Sequence, residues 1–310
     1  MESTSIKSRR TSFTNKKSLF LFMQVNIAGL QRSGKVRTSE TYMTALSSFQ
    51  RFMGGKDILL NNVDSELMMG YETYLKTHGV SMNTISFYMR ILRAVYNRAV
   101  ERGMVKQRDP FKYVYTGVYK TVKRAVPLKT IRQIKELDLE MFPSLSFARD
   151  LFLFSFYTRG MSFIDMAYLQ KSDLSNGILS YRRKKTGQLL SIKWEKCMQD
   201  LIDKYPENTS SYLLPIIRSE ENDRRQYKNA ICLVNRKLKE IGEMSGLSHP
   251  LTMYVARHSW ASSAKDKHIP IAVISEGMGH NSEKTTSIYL ASLDGAIIDK
   301  ANNLILKGLL

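Results

Sequence analysis

The segment between Ser81 and Gly103 constrains the fold more than any other part of the chain, because it reads as one long helix with both ends marked. Serine is a preferred N-cap residue, and glycine commonly ends a helix. Between these two ends the apolar residues recur every three or four positions, at Ile85, Tyr88, Leu92, Val95 and Ala99. The pattern predicts a helix that buries one face in a core.

Two further helices are predicted just upstream of this one. Apolar residues at helical spacing begin near Thr38, and the run stops at the Gly54-Gly55 pair. Asp64 can cap a second helix, which stops at His78-Gly79. Several short helices so close together predict a small helical domain.

The second half of the chain is predicted to be helical around one β-hairpin. A helix is expected after Pro127 and another from about Phe147 to Tyr157. Residues 178–183 and 189–194 have the character of strands, and they flank the turn sequence Lys184-Lys185-Thr186-Gly187. The predicted fold class is therefore mainly α with a small β-hairpin or sheet (α+β).

Charge indicates what kind of partner the chain binds. The 310 residues carry a formal net charge of +19, and such an excess of Lys and Arg favours a polyanion. Residues 1–125 hold 21 basic and 8 acidic residues, and residues 126–310 hold 26 and 20. No apolar run approaches the ~20 residues that span a bilayer, so nucleic acid is expected rather than membrane. The two cysteines, Cys197 and Cys232, suit reduced thiols in the cytoplasm.

A basic face of the predicted Ser81–Gly103 helix is the first candidate for DNA contact. It lies opposite the apolar stripe, carries no acidic residue and includes Asn83, Ser86, Arg90, Arg93 and Asn97. Arginine and asparagine suit phosphates and base edges, although a solvated face is the simpler interpretation of any one helix. Lys123 and Arg124, in a basic stretch with Asp109-Pro110 at its start, are expected near the DNA backbone.

Three motifs near the C-terminus carry the chemistry. Arg257 is followed by Gly279-His280, and Tyr289 comes nine residues after that histidine. This order resembles the tyrosine recombinases, the lambda-integrase family. The resemblance places Tyr289 on the nucleophile, Arg257 on the second arginine, His280 on the histidine of the Gly-His pair and Lys185 on the hairpin lysine. Each residue alone has a structural interpretation, and the joint order carries the resemblance.

Two positions depart from the family pattern. The family's first arginine stands three residues before an acidic residue, which matches Asp165, so its place is taken by Ser162. Arg159 lies three residues earlier, and on a continuous helix it would share a face with Ser162, so it is a candidate replacement. A histidine usually stands where this chain has Tyr254. These departures resemble a branch of integrases and DNA invertases from mobile elements of gut anaerobes.

The resemblance implies a mechanism and partners. Tyr289 would form a 3′-phosphotyrosine, Arg159 and Arg257 would neutralise the phosphate, and His280 and Tyr254 would donate hydrogen bonds to it. Lys185 would protonate the leaving 5′-oxygen. No metal or cofactor is expected. The partners would be double-stranded DNA and other copies of the chain, as a tetramer at synapsis and a monomer or weak oligomer when free.

The resemblance also suggests a domain layout. The expected parts are a basic arm (1–18), a helical core-binding domain (19–112), a linker (113–126) and a catalytic domain with a C-terminal tail helix (127–310). Two other functions remain open at this point. One is a DNA-binding protein whose recombinase site has decayed, which Ser162 and Tyr254 favour. The other is a type IB topoisomerase, which shares the chemistry.

Overall fold

The computed structural model describes residues 17–119, 124–206, 208–290 and 306, and of residues 284, 288 and 289 only the backbone is described. Three predicted features therefore lie outside the described residues. They are most of the basic arm, Lys123, and the tail helix apart from Leu306. The chain divides between residues 121 and 122 into two compact units.

The secondary-structure elements in the described part of the N-terminal unit are all helices. Its α-helices are α1 (Leu19–Arg32), α2 (Val36–Phe52), α3 (Ser65–Thr77) and α4 (Met82–Glu101), with one 3-10 turn at Leu60–Asn62. The side chain of Asp64 accepts a hydrogen bond from the amide of Leu67, and Ser81 caps α4 through the amide of Thr84. Both predicted N-caps are confirmed, and Gly103 with φ +65° follows the end of α4.

One aromatic core holds these helices together. Phe49 and Tyr71 are fully buried and meet edge to face with ring centroids 4.9 Å apart. The hydroxyl of Tyr71 finds a partner inside the core, because it donates to Ser48 at 2.7 Å. Val114 is buried in the same core, so the chain beyond residue 112 still packs on this unit.

The C-terminal unit combines helices with a small sheet. Its elements in chain order are α5 (Leu128–Glu136), α6 (Pro143–Tyr157), α7 (Phe163–Ala167), β1 (Leu174–Ser175), β2 (Ile178–Arg182), β3 (Leu189–Lys193), α8 (Lys196–Ile202), α9 (Asp223–Met244), α10 (Met253–Asp266), α11 (Ile271–Gly277) and α12 (Glu283–Tyr289). The fold class predicted from the sequence is confirmed.

Helix α6 is the centre of this unit. Its residues 151–154 are all buried, and both α9 and α10 pack against it. A helix that is apolar on every side is stable only when it is surrounded. In the part of the chain that the structure describes, no helix combines the length and the apolar character needed to cross a bilayer.

The three strands form one antiparallel sheet in the order β1-β2-β3. In the β2–β3 pair Ser180 lies opposite Ser191, and their hydroxyls are 3.0 Å apart. Leu179 and Tyr181 on the other face of β2 are buried. This alternation fixes which side of the hairpin faces the core.

Candidate active site

Arg257 lies at the centre of the candidate site. It is on α10 and only 4% exposed. Its Nη1 donates to the carbonyl of Gly160 at 2.7 Å, and its Nη2 donates to the carbonyl of Met278 at 2.6 Å. Backbone carbonyls orient a guanidinium without cancelling its charge. Gly160 is required by this approach, because a Cβ there would lie 2.7 Å from the Arg257 Cα.

His280 contacts Arg257 directly. Its Nε2 is 2.9 Å from Arg257 Nη2, and its Nδ1 is 2.8 Å from the hydroxyl of Thr286. Burial lowers the pKa of His280 to about 4, with further lowering by the charges of Arg257, Arg183 and Lys185. The imidazole is therefore neutral near pH 7. Since a guanidinium only donates, Nε2 is the acceptor of the contact with Arg257.

Lys185 lies in the predicted hairpin turn between β2 and β3, where its side chain is exposed. Asp165 holds this turn in place, because its carboxylate accepts from the amide of Lys184 at 2.8 Å. The other oxygen of Asp165 accepts from the hydroxyl of Ser162 at 2.6 Å. The charge of Lys185 contributes to the low pKa of His280, so the turn and the histidine belong to one electrostatic site.

Arg183 belongs to this site and was not among the residues predicted from the sequence. It is 6% exposed, and its Nη1 donates to the carbonyl of Gly279, the residue before His280. Its Nε is buried and has no hydrogen-bond partner among the described residues. A buried N–H without an acceptor is costly, and an anion at this position would satisfy it. The alternation of Leu179 and Tyr181 in β2 with Arg183 directly after the strand was the available signal.

Contrary to the prediction from the sequence, Arg159 does not lie on a helix that continues to Ser162. Helix α6 ends at Tyr157, and Arg159 follows with φ +61° in the left-handed region. The amide of Gly160 then closes on the carbonyl of Ser155 at 2.8 Å, which makes this a Schellman-type helix end. Arg159 and Ser162 therefore do not share a helix face. The Asp165 carboxylate accepts its hydrogen bonds from Ser162 and from the amide of Lys184.

The side chain of Arg159 is directed toward the sheet. Its Nη1 donates to the carbonyl of Ser191 at 3.3 Å. Burial and the charge of Asp165 raise the pKa of Tyr181, while the charges of Arg257, Arg183 and Arg159 lower it. Of these arginines, Arg257 and Arg183 also lower the pKa of His280, and Arg159 is not among the groups that do.

The two tyrosines of the predicted site lie on different helices. Tyr254 is in the first turn of α10, is 55% exposed, and meets the His258 ring edge to face with centroids 4.5 Å apart. Tyr289 is the last residue of α12, and its side chain lies outside the described part of the chain. Thr286, which contacts His280, is on the same helix. The site therefore reaches the helix of the predicted nucleophile.

The residues predicted to contact DNA divide into two groups. Arg90, Arg93, Asn97 and Arg124 are exposed. Asn83 instead holds the backbone of Tyr119, donating to its carbonyl at 2.9 Å and accepting from its amide at 2.8 Å. Ser86 is fully buried and donates to the carbonyl of Gly117 at 2.6 Å. Both residues have a structural role, and the exposed face of α4 is narrower than the sequence suggested.

Two family models account for most of the chain. The Phage integrase SAM-like domain matches residues 18–117, and the Phage integrase family model matches residues 149–295. The chain belongs to the tyrosine recombinases of the phage integrase family. It is therefore a site-specific DNA recombinase, an enzyme that cleaves and rejoins DNA.

Individual relatives of this recombinase are distant in sequence and close in fold. The tyrosine recombinase XerA of Thermococcus kodakarensis is 24% identical over 233 residues, which cover 74% of this chain and 77% of XerA. A lambda integrase dimer bound to a COC' core site matches with a TM-score of 0.68 at 17% identity, covering 89% of this chain and 98% of that one. A lambda integrase tetramer bound to a Holliday junction matches with a TM-score of 0.70 at 16% identity, covering 91% and 80%.

Proposed function

We propose that Tyr289 attacks the scissile phosphate of double-stranded DNA, forms a 3′-phosphotyrosine and releases a 5′-hydroxyl. One observation carries this proposal. Contacts run from Arg257 through His280 to Thr286, which is on the helix that ends at Tyr289. The phosphotyrosine keeps the energy of the broken phosphodiester bond, so rejoining needs no nucleotide cofactor.

Arg257 and Arg183 are the residues that neutralise the phosphate in this proposal. Both are buried and held by backbone carbonyls, and such preorganised charges stabilise a transition state without reorganising. The free Nε of Arg183 supplies a donor where the family's first arginine is missing. Arg159, which is directed toward Ser191, would bind a flanking phosphate.

The remaining groups handle protons and hydrogen bonds. Lys185 would protonate the departing 5′-oxygen, and its exposure in the turn lets it reach DNA. Asp165 supports that role by fixing the amide of Lys184 next to it. His280 and the exposed Tyr254 would donate hydrogen bonds to the same phosphate.

DNA would be held by the exposed cations of both units. Arg90, Arg93 and Asn97 of α4 and Arg124 are exposed, and Lys123 belongs to the same proposed set. The matching lambda integrases are a dimer on a core site and a tetramer on a Holliday junction. We infer that this chain, a cytoplasmic DNA-associated protein, exchanges strands as a tetramer and is a monomer or weak oligomer when free.

The outcome of recombination is proposed to be inversion or simple site-specific recombination. The support is the replacement of the usual first arginine by Ser162 and of the usual histidine by Tyr254, as in the gut-anaerobe branch. Inverted repeats beside the gene, with both orientations of the intervening DNA in one population, would support inversion. A single fixed orientation with direct repeats would contradict it.

The covalent step can be tested by mapping the protein–DNA link. A nicked substrate lets a short 5′-hydroxyl fragment diffuse away after cleavage, so the covalent adduct accumulates. Protease digestion and mass spectrometry should place the nucleotide on the peptide that contains Tyr289. A nucleotide on another residue, or no adduct on a substrate that is bound, would contradict the proposal.

A further inference from the structure

Thr286 is a buried hydroxyl beside the catalytic histidine. It is 0% exposed, and its Oγ1 is 2.8 Å from His280 Nδ1. The opposite nitrogen of that ring, Nε2, is 2.9 Å from Arg257 Nη2. The ring is therefore contacted at both nitrogens, by an arginine of α10 and by a threonine of α12.

The chemistry of the two partners fixes the proton on the ring. Arginine has no acceptor, so a hydrogen bond between Arg257 and His280 requires that Nε2 carries no proton. A neutral imidazole with an unprotonated Nε2 carries its proton on Nδ1. That proton is then donated to the Thr286 hydroxyl, which can accept it. The cationic groups around the ring, Arg257, Arg183 and Lys185, oppose a second proton.

We propose that Thr286 is a positioning residue that holds His280 as the Nδ1–H tautomer with Nε2 toward Arg257, and that it ties this arrangement to the seating of α12. This inference rests on the proposed roles of His280 and Tyr289. Thr286 stands one turn before Tyr289, at i and i+3 on the same helix. A displaced α12 moves the Thr286 hydroxyl away from Nδ1, so the orientation of the histidine depends on the seating of the helix that carries Tyr289.

A hydroxyl also suits the step in which phosphate enters. When a phosphate oxygen becomes the partner of Nε2, that nitrogen must carry a proton in order to donate. The ring then releases its Nδ1 proton to solvent and takes one proton from solvent on Nε2, so it stays neutral. The Thr286 hydroxyl can rotate and donate to Nδ1, because a hydroxyl is both donor and acceptor. A methyl group in place of this hydroxyl can neither accept a hydrogen bond from Nδ1–H nor donate one to an unprotonated Nδ1.

Imidazole ¹⁵N shifts report the tautomer without requiring catalysis. The whole 310-residue chain, labelled at its 5 histidines, is compared with Thr286→Val, Thr286→Ser and Thr285→Val. The His280 signals are assigned from their loss in His280→Gln. Thr285 is the matched control, because it is exposed on the same helix and its hydroxyl is 3.1 Å from that of Ser282.

We expect the Nδ1–H pattern in the unmodified chain, in Thr286→Ser and in Thr285→Val. Thr286→Val should show a mixture of tautomers or the Nε2–H form while keeping a cooperative unfolding transition. Its rate of adduct formation on a nicked substrate should fall about tenfold, the order of one hydrogen bond, with DNA affinity unchanged. Thr286→Ser should recover most of that rate.

An unchanged Nδ1–H pattern in folded Thr286→Val would overturn the proposal. So would an altered tautomer with an unchanged cleavage rate. Failure of the proposed function gives a different result, since the unmodified chain would then show the Nδ1–H pattern but no adduct at Tyr289.

Discussion

The guanidinium of Arg183, the residue directly after β2, donates to the carbonyl of Gly279, the residue that precedes His280. This hydrogen bond joins the hairpin that carries Lys185 to the segment that carries the histidine. It also places a second buried arginine beside Arg257. Gly279 allows the approach, because a Cβ there would lie 2.9 Å from a Leu190 methyl carbon and 3.3 Å from Arg183 Cδ.

Replacing Arg183 should therefore disable cleavage. Arg183→Ala removes a preorganised cation, and such a loss typically costs about a hundredfold or more in rate. Its neighbour Arg182 is exposed and donates to the carbonyl of Gly187 in the turn, so Arg182→Ala is the matched control and should stay within a few-fold of the unmodified rate. Single-turnover cleavage of a nicked substrate measures both. Equal losses of cleavage rate in the two variants would mean that Arg183 has no specific role in the site.

Arg159 offers a stability test of its left-handed backbone. A non-glycine residue with φ +61° is strained, and the left-handed conformation costs roughly 1–2 kcal/mol. Arg159→Gly and Arg159→Ala lose the same side-chain contact with Ser191, but only glycine relieves the strain. Arg159→Gly should therefore be about 1 kcal/mol more stable than Arg159→Ala in urea unfolding. Equal stabilities would mean that the turn is not strained.

The low pKa of His280 predicts a specific pH dependence of stability. Its folded pKa of about 4 lies below the unfolded value of about 6.5, so the unfolded chain binds the proton first as the pH falls. The stability that neutral His280 contributes is complete above pH about 6.5 and is lost as the pH falls toward 4. The free energy of unfolding of the unmodified chain should therefore fall relative to that of His280→Gln over that range. A constant difference between them would contradict the depressed pKa.

The exposed arginines of α4 should contribute to DNA affinity through contacts with phosphates. Arg90→Ala with Arg93→Ala should weaken DNA binding and reduce the slope of log K against log salt by about 2, since each phosphate contact contributes about 0.9. Asn83→Ala should leave this slope unchanged, because the Asn83 amide is bonded to the backbone of Tyr119. Fluorescence anisotropy at several salt concentrations measures both. An unchanged slope in the double variant would place this face of α4 in solvent.

The sequence predicted those parts of the fold that depend on local rules. The caps at Asp64 and Ser81 and the hairpin around Lys185 follow from residue types and periodicity, and the structure has them. Arg183 was missed because it stands in a run of four cations, and the alternation that continues from Leu179 and Tyr181, which marks it as the buried one, was not applied to that run. The face assigned to Arg159 was wrong because α6 ends two residues earlier, at Tyr157.

Asn83 shows a different limit of prediction from sequence. Its position on the polar side of α4 was correct, yet its partner is Tyr119, which is 36 residues away in the chain. Helical periodicity states which side of a helix is polar. It does not state which polar residues are covered by a segment that returns to the helix later in the sequence.

Tyr289 is proposed to cleave DNA within the site built around Arg257. Tyr289→Phe removes one oxygen, and Tyr254→Phe makes the same change at an exposed tyrosine of α10 that is proposed only to assist. The decisive measurement is covalent adduct formation on a nicked substrate, with DNA affinity measured in parallel. We expect no adduct and unchanged affinity for Tyr289→Phe, and a reduced but detectable adduct for Tyr254→Phe. An adduct formed by Tyr289→Phe would show that another residue is the nucleophile.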